Sequence, residues 1–354
     1  MSEITEIKKK AVEWYINNRQ VYKKLSSKVE TILSEILELQ NLPYHIITSR
    51  AKDIDSFKKK AENDKYSDPV NQITDLAGIR VITYVEDEII KICKVIEDTF
   101  DIDKENSSDK SKELGIDKVG YKSVHYIGKI KPDRLQLPEY SGFAGKSFEI
   151  QVRTILQHAW AEIEHDRNYK FTGKLPDEIS RRFKLLAGFL EIADREFNYI
   201  SLEIDKISKE VEEGTKTGDL NFELNSTSLK QYIETKFKDL IGIKSLQFVS
   251  TETAITELEK FDIKSLAELD AIIPEDFIET FNKLGNELHD RVSVGGLIRL
   301  LLIIKDVNKY FTKAWGQNWH SWSDDDLMTQ VFSHYKINWK EIEDKYKVAL
   351  KPKN

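Results

Sequence analysis

Residues 3–40 carry a helical pattern of apolar positions. Apolar side chains recur there at three- and four-residue steps, among them Leu25, Val29 and Ile32. This spacing places them on one face of an amphipathic helix. Pro43 ends the pattern, because proline cannot continue a helical backbone. Residues 1–43 are therefore predicted to form an N-terminal helix ahead of the main domain.

The next part of the chain alternates between helical and extended patterns. Runs that are β-branched or alternate apolar with polar residues predict strands at residues 79–85, 123–130 and 146–153. Helical spacing is found at residues 88–100, 156–171 and 177–213, and a further helix is predicted with Thr48 or Ser49 as its cap. The polar residues 101–118 predict a mobile loop. This order predicts an α/β (α+β) domain, with a mixed β-sheet flanked by helices.

A polar linker at residues 213–218 divides the predicted domains, which cover residues 44–212 and 219–354. The second domain is predicted to be mainly helical, with Ser265 and Pro274 opening helices and an apolar helix at residues 294–304. Four tryptophans near its end favour a small aromatic core over a binding surface. They are Trp315, Trp319, Trp322 and Trp339.

Composition narrows the class of protein. The 354 residues are 40% hydrophobic and 32% charged, which is typical of folded domains and not of disordered chains. The net charge of −7 argues against a broad nucleic-acid-binding surface, and the acidic excess in residues 251–290 places any polyanion site in the first half. A single cysteine excludes an internal disulfide framework. Without an export signal or a long apolar segment, the chain is predicted to be cytoplasmic with no membrane partner.

Three polar clusters carry the candidate chemistry. In the first, Arg50 and Lys52 lie near the predicted helix start, and Ser56 and Lys60 share one helical face. Cations beside a helix N-terminus suit a polyphosphate, although a solvated charged face would give the same pattern.

The second cluster leads into the strand at residue 79. Asp75 is placed at a sheet edge, where ligands of α/β sheets collect, and a carboxylate there suits Mg²⁺ that carries phosphates. Gly78 allows close approach to a ligand, and Arg80 follows it. The alternative is structural, with Asp75 as a helix cap and Arg80 in a surface ion pair.

The third cluster lies on two predicted strands. Glu149, Gln151 and Arg153 alternate with apolar residues and therefore point to one face, which presents a polar site. Tyr121, beside a glycine and ahead of a strand, is suited to stack on a base. His125 could contact phosphate or serve as a hydrogen-bonded structural residue.

These motifs, in this order, resemble the RelA/SpoT family of alarmone synthetases, which make ppGpp and pppGpp. The resemblance runs from about residue 44 to 170, and more loosely to about 197. It rests on DLAGIR at residues 75–80, GYKSVH at 120–125, EIQVRT at 149–154 and HAWAEIEHDRNYK at 158–170. It implies a nucleotidyltransferase-like synthetase fold and transfer of the β,γ-pyrophosphate of ATP to the 3′-hydroxyl of GDP or GTP.

The resemblance also implies roles for single residues. Arg50 and Arg80 would hold adenine, while Lys52 and Lys60 would neutralise the ATP phosphates with help from Ser56. Asp75 and Glu149 would hold Mg²⁺, and Glu149 is also a candidate for activating the attacking hydroxyl. The acceptor would be bound by Tyr121, through stacking on guanine, and His125, with Gln151 and Arg153 on the same face.

Some features depart from the family pattern or leave alternatives open. Many members have a lysine shortly before the GY pair, where this chain has Asp117 and Lys118. About 43 residues precede Tyr44, so a family hydrolase domain is expected to be absent, which indicates the small, monofunctional type. Residues 158, 162 and 165 share a helical face that could suggest a metal, but packing beside the sheet is the favoured interpretation.

Two other functions compete with alarmone synthesis. Toxin relatives pyrophosphorylate the 3′ end of tRNA, and the acidic residues 201–354 could restrain such an activity within the same chain. A catalytically dead binding module is disfavoured, because Asp75, Glu149 and Tyr121 are all present. Small members often form homo-oligomers, but the sequence carries no separate signal for assembly.

Overall fold

The computed structural model describes residues 3–109, 123–170, 176–238, 245–247, 251–284, 291–317, 319, 321–324 and 327–352. The chain divides into two compact units, Met1–Ser201 and Leu202–Asn354. This division lies inside one long helix, earlier along the chain than the predicted linker at residues 213–218.

The first unit contains a five-stranded sheet with helices around it. Its helices are α1 (Glu3–Leu39), α2 (Ile54–Ala61), α3 (Pro69–Gln72), α4 (Glu86–Thr99), α5 (Pro132–Leu135), α6 (Pro138–Ser141), α7 (Ile155–Lys170) and the first part of α8 (Asp177–Thr217), whose remainder belongs to the second unit. Its strands are β1 (Ile46–Ala51), β2 (Ala77–Thr83), β3 (Asp101–Asp109), β4 (Val124–Lys129) and β5 (Ser147–Thr154).

The strands lie in the order β1-β2-β5-β4-β3. β2 and β5 are parallel, and the other neighbouring pairs are antiparallel. The sheet is therefore mixed, which confirms the predicted fold class. β2 and β5 are neighbours and parallel, so the start of β2 lies beside the start of β5, and Gly78 pairs with Glu149.

One face of the sheet is apolar and supports the core of this unit. Ile79, Val81, Ile150 and Val152 alternate along β2 and β5 and are fully buried. Helix α1 covers this core with an apolar stripe that has a three- and four-residue period, as predicted from the sequence. The buried stripe residues include Leu25, Val29, Ile32, Leu33 and Leu37.

Two segments differ from the prediction. Residues 46–51 form strand β1 and not the start of a helix; the helix begins after Asp53, whose carboxylate accepts hydrogen bonds from the backbone N–H groups of Asp55 and Ser56. Residues 101–109, predicted as loop, form strand β3 because β4 supplies backbone hydrogen-bond partners to this polar segment. The rest of the predicted loop lies outside the described residues.

The second unit is mainly helical in its described parts. Its helices are α9 (Ser226–Lys236), α10 (Thr251–Lys260), α11 (Leu266–Asp270), α12 (Phe277–Leu284), α13 (Val294–Lys305), α14 (Val307–Lys309), a π-helical segment (Tyr310–Ala314), α15 (Leu327–His334) and α16 (Trp339–Tyr346). Two strand pairs, β6 (Ser245–Gln247) with β7 (Arg291–Ser293) and β8 (Ser321–Asp324) with β9 (Ala349–Pro352), complete it.

The core of the second unit contains a buried ion pair. Arg299 donates to both carboxylate oxygens of Glu257 at 3.0–3.1 Å, and the hydroxyl of Tyr310 donates to the same carboxylate at 3.0 Å. Trp315 and Trp339 are both buried in the hydrophobic core of this unit, which agrees with the predicted aromatic core. In the described parts of the chain, no helix has the length and apolar character needed to cross a membrane.

Candidate active site

The second face of the sheet carries the polar residues that the sequence singled out. Arg50 lies opposite Gly78 on the neighbouring strand, and Arg80 lies beside Gln151. His125, on the next strand, pairs with Gln151 from the other side. Since residues paired across a sheet point to the same face, all of these side chains share one surface. The predicted alternation of residues 149–153 is confirmed.

Asp75 lies at the edge of this surface, just before β2. Its Oδ2 atom accepts hydrogen bonds from Lys52 Nζ at 2.7 Å and Lys60 Nζ at 2.9 Å. Its Oδ1 atom is buried and has no hydrogen-bond partner among the described residues. Burial disfavours the charged carboxylate, but the two ammonium groups outweigh this effect and the pKa of Asp75 is lower than usual. The same contact raises the pKa of Lys60 despite its burial.

Lys52 is held in place by helix α1. The hydroxyl of Tyr15 donates to the backbone carbonyl of Lys52 at 2.7 Å, and Arg19 Nε donates to the same oxygen at 3.1 Å. Tyr15 is fully buried and stacks on Phe57 of α2 with ring centroids 4.5 Å apart. Tyr15 and Arg19 were not predicted as site residues, because their contacts with Lys52 join positions far apart in the chain.

Glu149 lies at the centre of a second polar group. Its Oε1 atom contacts His125 Nδ1 at 2.8 Å, and its Oε2 atom accepts a hydrogen bond from Gln151 Nε2 at 3.1 Å. Arg153, which is buried, donates in turn to the side-chain oxygen of Gln151. Burial disfavours ionisation of Glu149, but the hydrogen bond with His125 outweighs it, and its pKa is lower than usual.

The two groups meet in one cleft of about 220 Å³. Its lining residues are Thr48, Ser49, Arg50, Lys52, Asp75, Gly78, Ile79, Arg80, Glu149 and Gln151. The structure thus brings two carboxylates, two arginines and a lysine from three separate segments of sequence to a single surface. A cleft with this set of charges can hold a polyphosphate and a divalent cation together.

The remaining predicted residues lie at different distances from the cleft. Lys60 donates a hydrogen bond to Asp75, which lines the cleft. His125 contacts Glu149 and Arg153 donates to Gln151, and both of these partners line the cleft. Ser56 is exposed on α2 and does not line the cleft. Tyr121 lies outside the described residues, as do positions 117 and 118.

Helix α7 packs beside the cleft and supplies an ion-pair partner for Arg80, as in the structural alternative considered for this residue, although the sequence did not identify the partner. Glu162 accepts a hydrogen bond from Arg80 Nη1 at 2.8 Å. On the same helix His158 Nδ1 lies 3.9 Å from Glu162. Within the described ranges, no group of three or more histidine, cysteine or acidic side chains is arranged to hold a metal ion, and this includes the face of α7 at residues 158, 162 and 165.

The comparison with protein families addresses this part of the chain. Residues 49–174 match the region found in RelA/SpoT proteins. The matched region therefore includes part of β1, all of β2 to β5 and every residue predicted to bind a substrate, and the resemblance inferred from the motifs is confirmed.

Individual relatives match a little more than half of the chain. GTP pyrophosphokinase YjbM of Bacillus subtilis is 28% identical over 195 residues, which are 53% of this chain and 87% of the relative. GTP pyrophosphokinase YwaC of the same organism is 26% identical over 216 residues, 56% of this chain and 95% of the relative. A solved GTP pyrophosphokinase family protein from Streptococcus pneumoniae is 26% identical, with a TM-score of 0.46, and the match covers 55% of this chain and 95% of that one.

Proposed function

We propose that this protein transfers the β,γ-pyrophosphate of ATP to the 3′-hydroxyl of GDP or GTP. Both curated relatives are named GTP pyrophosphokinase, and the chain covers most of their length. The observation that carries the proposal is that Asp75 and Glu149 line one cleft together with Arg50, Lys52 and Arg80. Pyrophosphoryl transfer depends mainly on holding two substrates in line and neutralising their charge, and this cleft supplies the groups to do so.

The donor phosphates are assigned to Lys52 and Lys60. Both ammonium groups already converge on Asp75 Oδ2, at 2.7 and 2.9 Å, so they point to a common position at the cleft edge. A triphosphate that enters there would take over part of their hydrogen bonding. Because Tyr15 and Arg19 hold the backbone at Lys52, the first of these lysines meets the phosphates from a fixed position.

The adenine ring is assigned to Arg50 and Arg80. The two arginines lie on adjacent strands, share the polar face and line the same cleft. A planar guanidinium group can stack on a base, which an ammonium group cannot do. Glu162 restrains the guanidinium group of Arg80 through its 2.8 Å ion pair.

The residues present fit a magnesium ion that arrives with the nucleotide. The buried Oδ1 atom of Asp75 has no hydrogen-bond partner among the described residues, and each oxygen of Glu149 keeps a lone pair beyond its one hydrogen bond. Mg²⁺ typically takes one or two carboxylates plus substrate phosphates and water, which agrees with two acids at this site. When bound, the ion would supply positive charge to the transferring phosphates, while Glu149 would accept the proton of the attacking hydroxyl.

The proposal is tested by measuring which acceptor receives the labelled phosphate of ATP. Purified protein is incubated with Mg²⁺, ATP labelled in the γ-phosphate and, separately, GDP, GTP or deacylated tRNA, and the products are separated by chromatography. We expect a labelled guanosine tetra- or pentaphosphate, and its loss in Asp75→Asn. Asp133→Asn serves as the control, because Asp133 is exposed on α5 and remote in sequence from the cleft residues.

Each acceptor gives a distinct answer. Label on tRNA alone would support the toxin-type alternative and refute alarmone synthesis. Absence of transfer to any of the three acceptors would refute both.

A further inference from the structure

Ser123 is part of a hydrogen-bonded chain that ends on Glu149. The Oγ atom of Ser123 lies 2.6 Å from His125 Nε2, and His125 Nδ1 lies 2.8 Å from Glu149 Oε1. Ser123 is only 3% exposed, so bulk water does not replace its hydroxyl at this ring nitrogen. Both nitrogens of the imidazole are therefore engaged by side chains.

The chemistry of the three groups sets the direction of these hydrogen bonds. A glutamate side chain is ordinarily ionised at neutral pH, and an ionised carboxylate can only accept hydrogen bonds. The Nδ1 atom of His125 must therefore carry a proton and donate it to Glu149. In a neutral imidazole the Nε2 atom is then an acceptor, and the Ser123 hydroxyl is the donor within reach.

The other oxygen of Glu149 is held from the opposite side. Gln151 Nε2 donates to Oε2 at 3.1 Å, and Arg153 donates to the oxygen of the same amide. The orientation of that amide is thus determined by its two neighbours. Donors from β4 and from β5 hold both oxygens of the carboxylate, and the plane of Glu149 is constrained in the cleft.

We propose that Ser123 is a positioning residue that keeps His125 in its Nδ1–H tautomer and thereby orients the carboxylate of Glu149 for transfer. Loss of the hydroxyl would leave Nε2 without its donor, so that Glu149 alone favours the Nδ1–H tautomer and the other tautomer becomes more populated. In that tautomer Nδ1 becomes a lone-pair acceptor that faces the carboxylate, and the His125–Glu149 hydrogen bond is lost. The position of His125 as a phosphate contact stays a prediction, and the present role needs no contact between His125 and substrate.

The first test reads the tautomer directly and requires no catalysis. Protein labelled with ¹⁵N in its seven histidines is studied by NMR at about pH 8.5, where histidine is ordinarily neutral, and His125→Gln identifies the His125 signal. We expect a protonated Nδ1 and an unprotonated Nε2 in the wild type, and a shift of the proton toward Nε2 in Ser123→Ala. A wild-type His125 with its proton on Nε2 would overturn the proposal.

The second test is kinetic and rests on the proposed function. Ser123→Ala should lower kcat by at least about tenfold, with KM for ATP changed by less than about threefold, because the donor cleft is untouched. Ser123→Thr, which keeps a hydroxyl, should recover most of kcat. Ser141→Ala is the matched control, since Ser141 is exposed on α6 and its hydroxyl donates to the carbonyl of Pro138.

The two tests separate failure of this inference from failure of the proposed function. If Ser123→Ala keeps wild-type kcat, Ser123 does not position Glu149. If the wild type transfers nothing to any acceptor, the proposed function fails, and the NMR result alone decides whether Ser123 selects the tautomer.

Discussion

The backbone carbonyl of Lys52 accepts two hydrogen bonds from α1, and this pair allows a quantitative test of how the N-terminal helix supports the cleft. Tyr15→Phe removes the 2.7 Å hydrogen bond but keeps the ring that stacks on Phe57. Arg19 still satisfies the carbonyl, so the cost should be that of one ordinary hydrogen bond, about 0.5–1.5 kcal/mol. Arg19→Met should cost a similar amount for the same reason.

The double variant is expected to cost more than the two single ones combined. With both donors removed, the carbonyl is left without either side-chain partner and takes an additional desolvation penalty of about 1–3 kcal/mol. The coupling between Tyr15 and Arg19 should therefore be at least about 1 kcal/mol. Loosening of this segment should also raise KM for ATP more in the double variant than in either single one, since Lys52 is then less restrained.

Native-state hydrogen exchange provides the measurement, because it reports the opening free energy of individual amides within the first unit. The backbone N–H of Lys52, which donates to the carbonyl of Leu76 at 2.9 Å, is the local probe. Tyr44→Phe is the matched control, since that hydroxyl makes an exposed contact with Glu38 and should contribute less than about 0.5 kcal/mol. Additivity of the two single variants to within about 0.3 kcal/mol would refute the shared-acceptor argument.

Three further outcomes are expected. Glu149→Gln should keep its far-UV circular dichroism but lose transfer by at least about 100-fold, or about 2.7 kcal/mol, and activity within about tenfold of wild type would contradict the assignment. Arg299→Met should destabilise the second unit by about 3–5 kcal/mol in urea unfolding, because it leaves Glu257 buried without its ion pair, whereas the surface variant Lys309→Met should cost less than about 1 kcal/mol. Burial raises the pKa of Tyr15 to about 12, so the stability that Tyr15 contributes relative to Tyr15→Phe is present below about pH 10 and should decline as pH rises toward 12.

The central strands could be predicted from the sequence, and the edge strands could not. β2, β4 and β5 have β-branched or alternating apolar residues, because each packs on the core with one face. β3 has a polar sequence, DIDKENSSD, and is a strand only because β4 pairs with it. β1 contains Thr48 and Ser49, residues that also suit a helix cap, and its pairing with β2 decides the outcome.

The same distinction applies to the site. Local period-two spacing predicted that Glu149 and Gln151 would share a face, and motif order predicted that Asp75 would lie near them. Contacts between distant segments had no local signal, which is why Tyr15, Arg19 and the Glu162 partner of Arg80 were missed. The roles assigned to Ser56 and Tyr121 stay predictions.

The packing of the long helix α8 determines at which residue a fragment that contains the second unit should begin. Val211, near its end, is fully buried in the core of the second unit, and Ile207 packs against that core. Gly214 has no space for a side chain, because a Cβ atom there would lie 2.3 Å from the carbonyl oxygen of Asp219. A fragment that starts after residue 218 would lack part of its own interior and would be expected to aggregate, whereas one that starts near Leu202 retains these residues. Expression of the second unit by itself should therefore begin partway along α8.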